Sequence, residues 1–477
     1  MPVRIHLRNR AIALLVALAT LVVTPALLFA HAHLVKSDPA ANAQLQTGPT
    51  ALTLWFSERP ELALTTLQLI DSAGTQYSLG AVVYGREPAS VTAPITGALA
   101  AGRYTVVWHT AASDGHATQG RFSFRVAAGP SRSSVATVVP ATRDTLQSPA
   151  VGTSKSNAPL QAAPAPRPSA PLRWAELIGV LTLVGSLVFR FAVLPAAGWP
   201  EPAASEAGER TRRLAQGALL LFVVMTLIRL SGESALVPDP RLSRIDAMWT
   251  VVRATRWGGG WAVGAIGAIV AAVGLFAARR AKSGWPTAGI GVVAICASES
   301  LTGHAGASLH PALAIATDVA HVLAGGGWLG GLTVVLLCGL PALNTLGDSE
   351  RAAAGSRLVR AYHSSAIECV VLVLITALIG AVLRLTAVHD LWTTHYGTIL
   401  LIKIALVIVV LLFGAYHWRR VVAVDWESST RPRFARSAAA ELLVGALVVG
   451  ASAALISTAL PTEAVPPPPL PTVTQAP

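Results

Sequence analysis

The sequence predicts two joined parts: an all-β sandwich or barrel domain near the start, then an all-α polytopic membrane domain of about eight transmembrane helices. Three observations carry this. The 477 residues are 53% hydrophobic and only 13% charged, whereas ordinary soluble domains carry about 25% charged residues. Between residues 31 and 127, short β-type runs alternate with turn signals. From Leu172 onward, long apolar runs follow one another, each able to supply the roughly 20 residues that cross a bilayer.

The first segment reads as a signal peptide over 1–30. Arg4, Arg8 and Arg10 make a basic start, an apolar run begins at Ala11 and breaks at Pro25, and Leu28-Phe29-Ala30 offers a small residue for cleavage. An uncleaved anchor helix is the alternative. Cleavage after Ala30 makes His31 the first residue of the mature chain.

Residues 31–127 hold the strand candidates Leu52–Phe56, Leu64–Ile70, Arg103–His109 and Arg121–Val126, with Asp71-Ser72-Ala73-Gly74 as a turn. Many short strands at this spacing indicate a sandwich or barrel. The region contains no cysteine, and about 95 residues bury a sufficient core without a disulfide. Residues 128–171, rich in Ser, Thr, Ala and Pro, cannot bury enough apolar surface to offset their ordering entropy and read as a disordered linker. The membrane domain is expected over 172–460, with spans near 173–195, 212–231, 250–277, 286–303, 312–340, 362–385, 397–415 and 437–459. A disordered Pro-rich tail, 461–477, follows.

The net charge of +12 does not point to nucleic acid. Residues 31–127 carry six Lys/Arg and six Asp/Glu; the excess sits in the first ten residues and in short loops. Arg279-Arg280-Lys282 and Arg419-Arg420 fall in alternate loops, and the others hold little beyond Arg241 and Arg244. That asymmetry sets topology. It predicts a multi-pass membrane protein, its lipid bilayer an obligatory partner, with the β-domain on the extracytoplasmic side.

The chemistry starts from His31. A free amine and an imidazole on one residue chelate a metal together. Asp114 and His116 follow the strand that ends near His109. Residues two apart in an extended segment point the same way, so this carboxylate and imidazole can meet one ion. An N,O set of amine, two imidazoles and a carboxylate suits square-planar Cu(II) better than tetrahedral Zn(II). Taken alone, Asp-x-His is an ordinary surface turn; its coincidence with an N-terminal histidine favours the metal.

In the membrane domain, ionisable residues within spans are costly and mark function. Glu299 lies in the fourth span with His304 at its outer end; His310 is in the next loop. Asp318 and His321, three apart in the fifth span, share a helical face, so Asp318 can orient His321. These five form a candidate copper intake site, and His363 with Glu368 a weaker exit. The alternative is that they satisfy one another structurally or pair with Arg229, Arg384 or Lys403. Cys296, Cys338 and Cys369 fall within or near spans. Thiols bind Cu(I), but lone cysteines in spans read first as small apolar core residues. Gly325–Gly331 reads as a helix-packing stretch. Neither G-x-x-x-x-G-K-[ST] nor C-x-x-C occurs, so an ATP-driven pump of either type is unsupported.

Several segments carry a resemblance. His31-Ala32-His33-Leu34, Ser37-Asp38-Pro39-Ala40, Leu54-Trp55-Phe56-Ser57-Glu58, Tyr104–Trp108, Ser113-Asp114-Gly115-His116 and Phe122-Ser123-Phe124 resemble the CopC copper-binding family. Thr302-Gly303-His304-Ala305, Asp318 and His321 with Gly326-Gly327-Trp328-Leu329-Gly330-Gly331, and Tyr396-Gly397 with Lys403 resemble the CopD family. The resemblance implies an Ig-like or cupredoxin-like β-sandwich with a Cu(II) site at His31, Asp114 and His116, His33 being a fourth or alternative ligand. Some CopC relatives add a Met-rich Cu(I) site. Here Met1, Met225 and Met248 are the only methionines, so the β-domain is expected to hold oxidised copper alone. The oxidation state in the membrane domain stays open, and a copper chaperone or reductase is a candidate partner. The expected function is copper binding and inward transport, without enzymatic activity. Its alternatives are resistance by sequestration or export, a histidine-brace copper oxidase, and a haem-binding membrane redox protein.

Overall fold

Burial at every second residue makes the strands. In Ala51–Phe56, Leu52, Leu54 and Phe56 are buried while Ala51, Thr53 and Trp55 are half-buried, the period of a strand with one face on a core. The computed structural model describes residues 34–87, 89–112, 117–127, 170–239, 241–303, 305, 311–385, 387–417, 419 and 430–458. The signal peptide, the linker to residue 169, the tail, and His31, His33, Asp114, His116, His304 and His310 lie outside the described residues. The chain divides into two compact units, one of strands and one of helices.

The strand unit contains β1 (Leu34–Asp38), β2 (Gln44–Leu45), β3 (Ala51–Phe56), β4 (Thr66–Asp71), β5 (Gln76–Tyr77), β6 (Val83–Tyr84), β7 (Ser90–Pro94), β8 (Gly102–Ala111) and β9 (Ala117–Val126). They form two sheets, ordered β1-β3-β7-β6 and β2-β9-β8-β4-β5. All neighbours pair antiparallel except β2 with β9. The expected turn after β4 is present. The Asp71 carboxylate accepts from the backbone N–H of Ala73 (2.8 Å) and Thr75 (2.9 Å), and Gly74 takes φ +87°, a conformation glycine adopts without strain. Those N–H donors, the one from Thr75 foremost, hold the Asp71 carboxyl below its ordinary range.

The core between the sheets holds Leu52, Leu54, Leu69, Val91, Val106, Tyr104 and Phe124. Tyr104 stacks on Phe124 at 5.6 Å, and its hydroxyl donates to the Ala100 carbonyl, 2.8 Å away, tying the start of β8 to the preceding loop as a tyrosine corner does.

The helical unit contains α1 (Ala170–Ala197), α2 (Glu201–Ser234), α3 (Arg244–Ala254), α4 (Arg256–Ala277), α5 (Gly284–Leu301), α6 (Pro311–Thr345), α7 (Asp348–Arg384), α8 (Asp390–Thr393), α9 (His395–His417) and α10 (Thr430–Ile456). Seven of them are long and apolar enough to cross a membrane: α1, α2, α4, α6, α7, α9 and α10. The remaining expected span, 286–303, is helical as α5, with 18 residues. It falls short of that standard, since Ser298, Glu299 and Ser300 make its last turns polar. The expected span 250–277 breaks at Thr255, whose backbone is extended (φ −119°, ψ 152°). Its hydroxyl donates to the Val251 carbonyl (2.8 Å) and accepts from the Gly258 N–H (2.9 Å), closing one helix and capping the next.

Glycine sets the closest helix contacts. A Cβ on Gly330 of α6 would overlap the Leu181 carbonyl of α1, and one on Gly185 would overlap the Gly330 backbone. The Gly325–Gly331 stretch thus lets two backbones touch.

Burial and the neighbouring Tyr77 hydroxyl push the Tyr104 phenol up to about 12. An unfolded chain ionises its tyrosines near pH 10, so this group's stabilisation is complete below that pH and is lost as pH rises through about 12. Residues 31–127 produced alone should therefore lose unfolding free energy between about pH 10 and 12. Tyr104→Phe should flatten that decline while costing about 1 kcal/mol at neutral pH for the orphaned Ala100 carbonyl. Denaturant titration at several pH values reads both.

Candidate functional site

One end of the sandwich gathers the positions that flank the expected ligands. Leu34, where β1 begins, pairs with Phe56 at the end of β3. Ala111 and Ala117, the last pair of the β8–β9 ladder, bracket in sequence the residues 113–116 that include Asp114 and His116. The chain leaving β3 joins these two places: the Glu61 N–H donates to the Ala111 carbonyl at 2.8 Å. Phe56 meets Trp108 of β8 edge-to-face, with centroids 5.3 Å apart. Just behind them, Thr65 and Thr110 share a buried hydroxyl hydrogen bond of 2.7 Å. The two described flanks, Leu34 and the Ala111–Ala117 pair, thus meet one rim.

In the helical unit the described intake residues, Glu299, Asp318 and His321, are already engaged. Glu299 Oε2 accepts from Arg173 Nη1 at 2.8 Å, and its Oε1 lies 4.0 Å from Arg229 Nη1. Arg173 also reaches Glu176 (3.2 Å), and Arg229 donates to both Glu176 oxygens (2.9 and 2.8 Å). These four side chains, each at most 6% exposed, join the start of α1 to the ends of α2 and α5. Arg229 also faces the Trp257 ring of α4 at 5.5 Å, and the Glu233 charge acts on it. The sequence reading missed Arg173 and Glu176. Their signal was an Arg and a Glu three apart within the first apolar span, close enough to pair on one helical face.

Asp318 and His321 do share a face, but Asp318 does not orient His321. Both Asp318 oxygens accept from Arg384 Nη2 at 2.7 Å, and His321 Nδ1 lies 2.9 Å from Thr376 Oγ1. An arginine offers a full charge and a forked donor set, which a neutral imidazole cannot match. Lys403 of α9 lies within charge range of Asp318, Arg384 and His321. His363 and Glu368, five apart on the continuous α7, project about 140° from each other. Among the described residues, no group of three or more His, Cys, Asp or Glu is placed to hold a metal ion. Cys296 and Cys338 belong to apolar core clusters, and Cys369 Sγ packs against Gly327.

Because Glu176 is the shared partner of two buried guanidinium groups, Glu176→Ala should cost about 3–5 kcal/mol, seen as a lower melting temperature and lower yield of folded protein in detergent. Glu176→Gln keeps one acceptor oxygen and should fall between the two.

Comparison with known proteins places these features. The family model for the CopC domain matches residues 34–127, that for the N-terminal domain of copper resistance protein D-like proteins matches 168–311, and that for copper resistance protein D matches 356–455. Protein YobA of Escherichia coli K12 is 37% identical over 113 residues, covering 24% of this chain and 90% of YobA. The copper transport protein CutJ of Bacillus subtilis 168 is 22% identical over 446 residues, covering 90% of this chain and 74% of CutJ. Among solved structures, CopC from Methylosinus trichosporium OB3b (27% identity, 20% of this chain and 95% of that one, TM-score 0.20) and PcoC from Escherichia coli (27% identity, 20% and 99%, TM-score 0.19) are similar. A CopC-like strand unit and CopD-type helices in one multi-pass membrane chain make this protein a member of the CopC–CopD copper resistance and transport family.

Proposed function

We propose that the chain binds Cu(II) on the extracytoplasmic side through His31, Asp114 and His116, with His33 as a fourth or alternative ligand, and passes copper to the helices for transport into the cell. The observation that carries this reading is the rim: Leu34 and the Ala111–Ala117 pair that closes the β8–β9 ladder lie at one end of the sandwich, linked through Phe56 and Glu61. A ligand set drawn from the first mature residues and from residues 113–116 needs this convergence. The signal peptide, cleaved after Ala30, supplies the free amine.

Within the helices, His304, His310 and His321 are the imidazoles proposed to receive copper, and Glu299 and Asp318 the carboxylates. The two carboxylates now neutralise Arg173 and Arg384. An arriving cation would have to share or replace those guanidinium partners, which makes acceptance conditional on a rearrangement. Enzymatic oxidation is the weaker reading, because Asp114 would take the position that oxygen needs at a histidine brace. A copper chaperone or a reductase is a candidate partner.

Cellular copper measured under copper limitation, with and without the protein, tests the reading. The intact chain should raise it and His31→Ala should abolish the gain; lower copper with the intact chain would indicate export or sequestration instead. Extending the mature N-terminus by one residue displaces the amine. It should weaken Cu(II) binding by about 100-fold or more, since even outer-shell changes cost 10–100-fold. Normal binding by the extended protein would refute the site.

A further inference from the structure

The strand unit is neutral as a whole, yet its charges are segregated. Three of its basic residues, Arg103, Arg121 and Arg125, lie on β8 and β9, and all three are exposed. Their neighbours in sequence, Tyr104, Phe122 and Phe124, belong to the core. Alternation along the strand therefore projects the three arginines from the outer face of the β2-β9-β8-β4-β5 sheet.

The register makes this face specific. Arg103 stands directly opposite Arg125. The next outward pair is Thr105 and Ser123, whose hydroxyls lie 3.2 Å apart, and the one after it is Val107 and Arg121. On β4, Thr66, Gln68 and Ile70 pair with His109, Val107 and Thr105 and so share the face. None of these positions is acidic. Asp71, at the end of β4, turns its carboxylate into its own turn, accepting from Ala73 and Thr75. Asp38 is on β1 in the other sheet, Glu58 and Glu61 follow β3, and Glu87 precedes β7. Among the described residues no ion pair reaches Arg103, Arg121 or Arg125. By contrast, Lys36 and Arg59 lie over the rings of Trp55 and Tyr84.

Like charges directly across a ladder are unfavourable, and nothing on this face compensates them. An anionic surface meeting two adjacent strands would. Connectivity says which surface is at hand. β9 ends at Val126, one residue past Arg125, and the chain then continues to α1, the first of the apolar helices, at Ala170. The arginine pair thus stands where the strand unit is tied to a membrane-spanning chain. It also stands at the end of the ladder away from Ala111 and Ala117, about 26 Å along β8. That is about three screening lengths at physiological salt, so an anion at this pair and a cation at the rim do not compete.

We propose that this sheet face docks the strand unit on anionic phospholipid headgroups, with Arg103, Arg121 and Arg125 as the contacts. The inference goes beyond copper binding and is independent of the direction of transport. Each arginine near an anionic lipid surface is worth about fivefold in partitioning, so the three together give about 100-fold. A contact of that strength suffices for a unit whose covalent tether already holds it at high effective concentration near the bilayer. Docked through this face, the unit rests on the lipid while its rim stays open to water and to copper.

The strand unit suits the test by itself. It has its own core and is a separate compact unit, and the match to YobA covers 90% of that protein, which has little room for anything else. Residues 31–127, free of metal, are sedimented with vesicles of phosphatidylcholine alone and of phosphatidylcholine mixed equally with phosphatidylglycerol. Partitioning into the mixed vesicles should be about 100-fold stronger and should fall as salt is raised. The variant Arg103→Gln/Arg121→Gln/Arg125→Gln should lose that gain. The variant Lys36→Gln/Arg59→Gln/Arg86→Gln, which has the same net charge, should keep most of it. Denaturant titration checks that both variants are folded, and the comparison of the two vesicle types needs no variant. Equal partitioning of the unaltered unit into both vesicle types, or an equal loss in the two variants, overturns the proposal and leaves the Cu(II) reading untouched.

Discussion

A charge inside an apolar bundle has to meet a counter-charge, because no water is there to solvate it. The helices obey this constraint pairwise and across helices. Arg173, Glu176, Arg229 and Glu299 join α1, α2 and α5; Asp318 and Arg384 join α6 and α7; His417 and Glu441 join α9 and α10. Such pairs add little net stability over well-packed apolar residues, since desolvation offsets most of the attraction. Their effect is on arrangement. A helix that slipped by one turn would strand a buried charge, so each pair fixes the register of its helices far more firmly than interchangeable apolar contacts do.

The same constraint changes how the membrane carboxylates are read. A carboxylate in a span can be a cation ligand, a counter-ion or both in turn. Glu299 and Asp318 are counter-ions in this state. His321 is held by Thr376, in a neighbourhood that also contains Arg384 and Lys403. The strand unit works differently. Its described flanking positions, Leu34 and the Ala111–Ala117 pair, meet at one rim through backbone pairing around Phe56 and Glu61.

Much of the architecture was legible because it depends on local periodicity. Alternation gave β3, β4, β8 and β9 nearly as they stand, and the Asp71–Gly74 turn announced itself by residue type. The apolar runs gave the spans, but not the break at Thr255, where a single hydroxyl and a glycine override an otherwise continuous run. Partner choice was the illegible part. Asp318 and His321 share a face by spacing, yet the decisive neighbour of Asp318 is 66 positions away in sequence. His417 and Glu441 escaped notice because each sits at the edge of a run, and only the packing of α9 on α10 makes them a pair. The ligand positions of the copper site itself lie outside the described residues, so there the structure speaks only through the strands that flank them.

Small and charged residues divide the labour along the bundle. Glycines such as Gly185 and Gly330 bring α1 and α6 into backbone contact, which leaves no room there for a hydrated ion. The charged pairs sit nearer the helix ends. A cation crossing such a bundle cannot diffuse through a preformed aqueous pore between α1 and α6; on the transport reading it has to be exchanged between polar ends while helices shift. The pairs that fix register are then also the contacts whose exchange would permit movement. A cation can replace Arg173 at Glu299 or Arg384 at Asp318 without leaving a carboxylate bare, but it releases a guanidinium that must find another partner. Glu176 already accepts from both Arg173 and Arg229, so it is placed to hold the arginine that Glu299 gives up. Asp318 has no second described carboxylate hydrogen-bonded to Arg384, so breaking that pair leaves the guanidinium without the alternative that Glu176 gives Arg173.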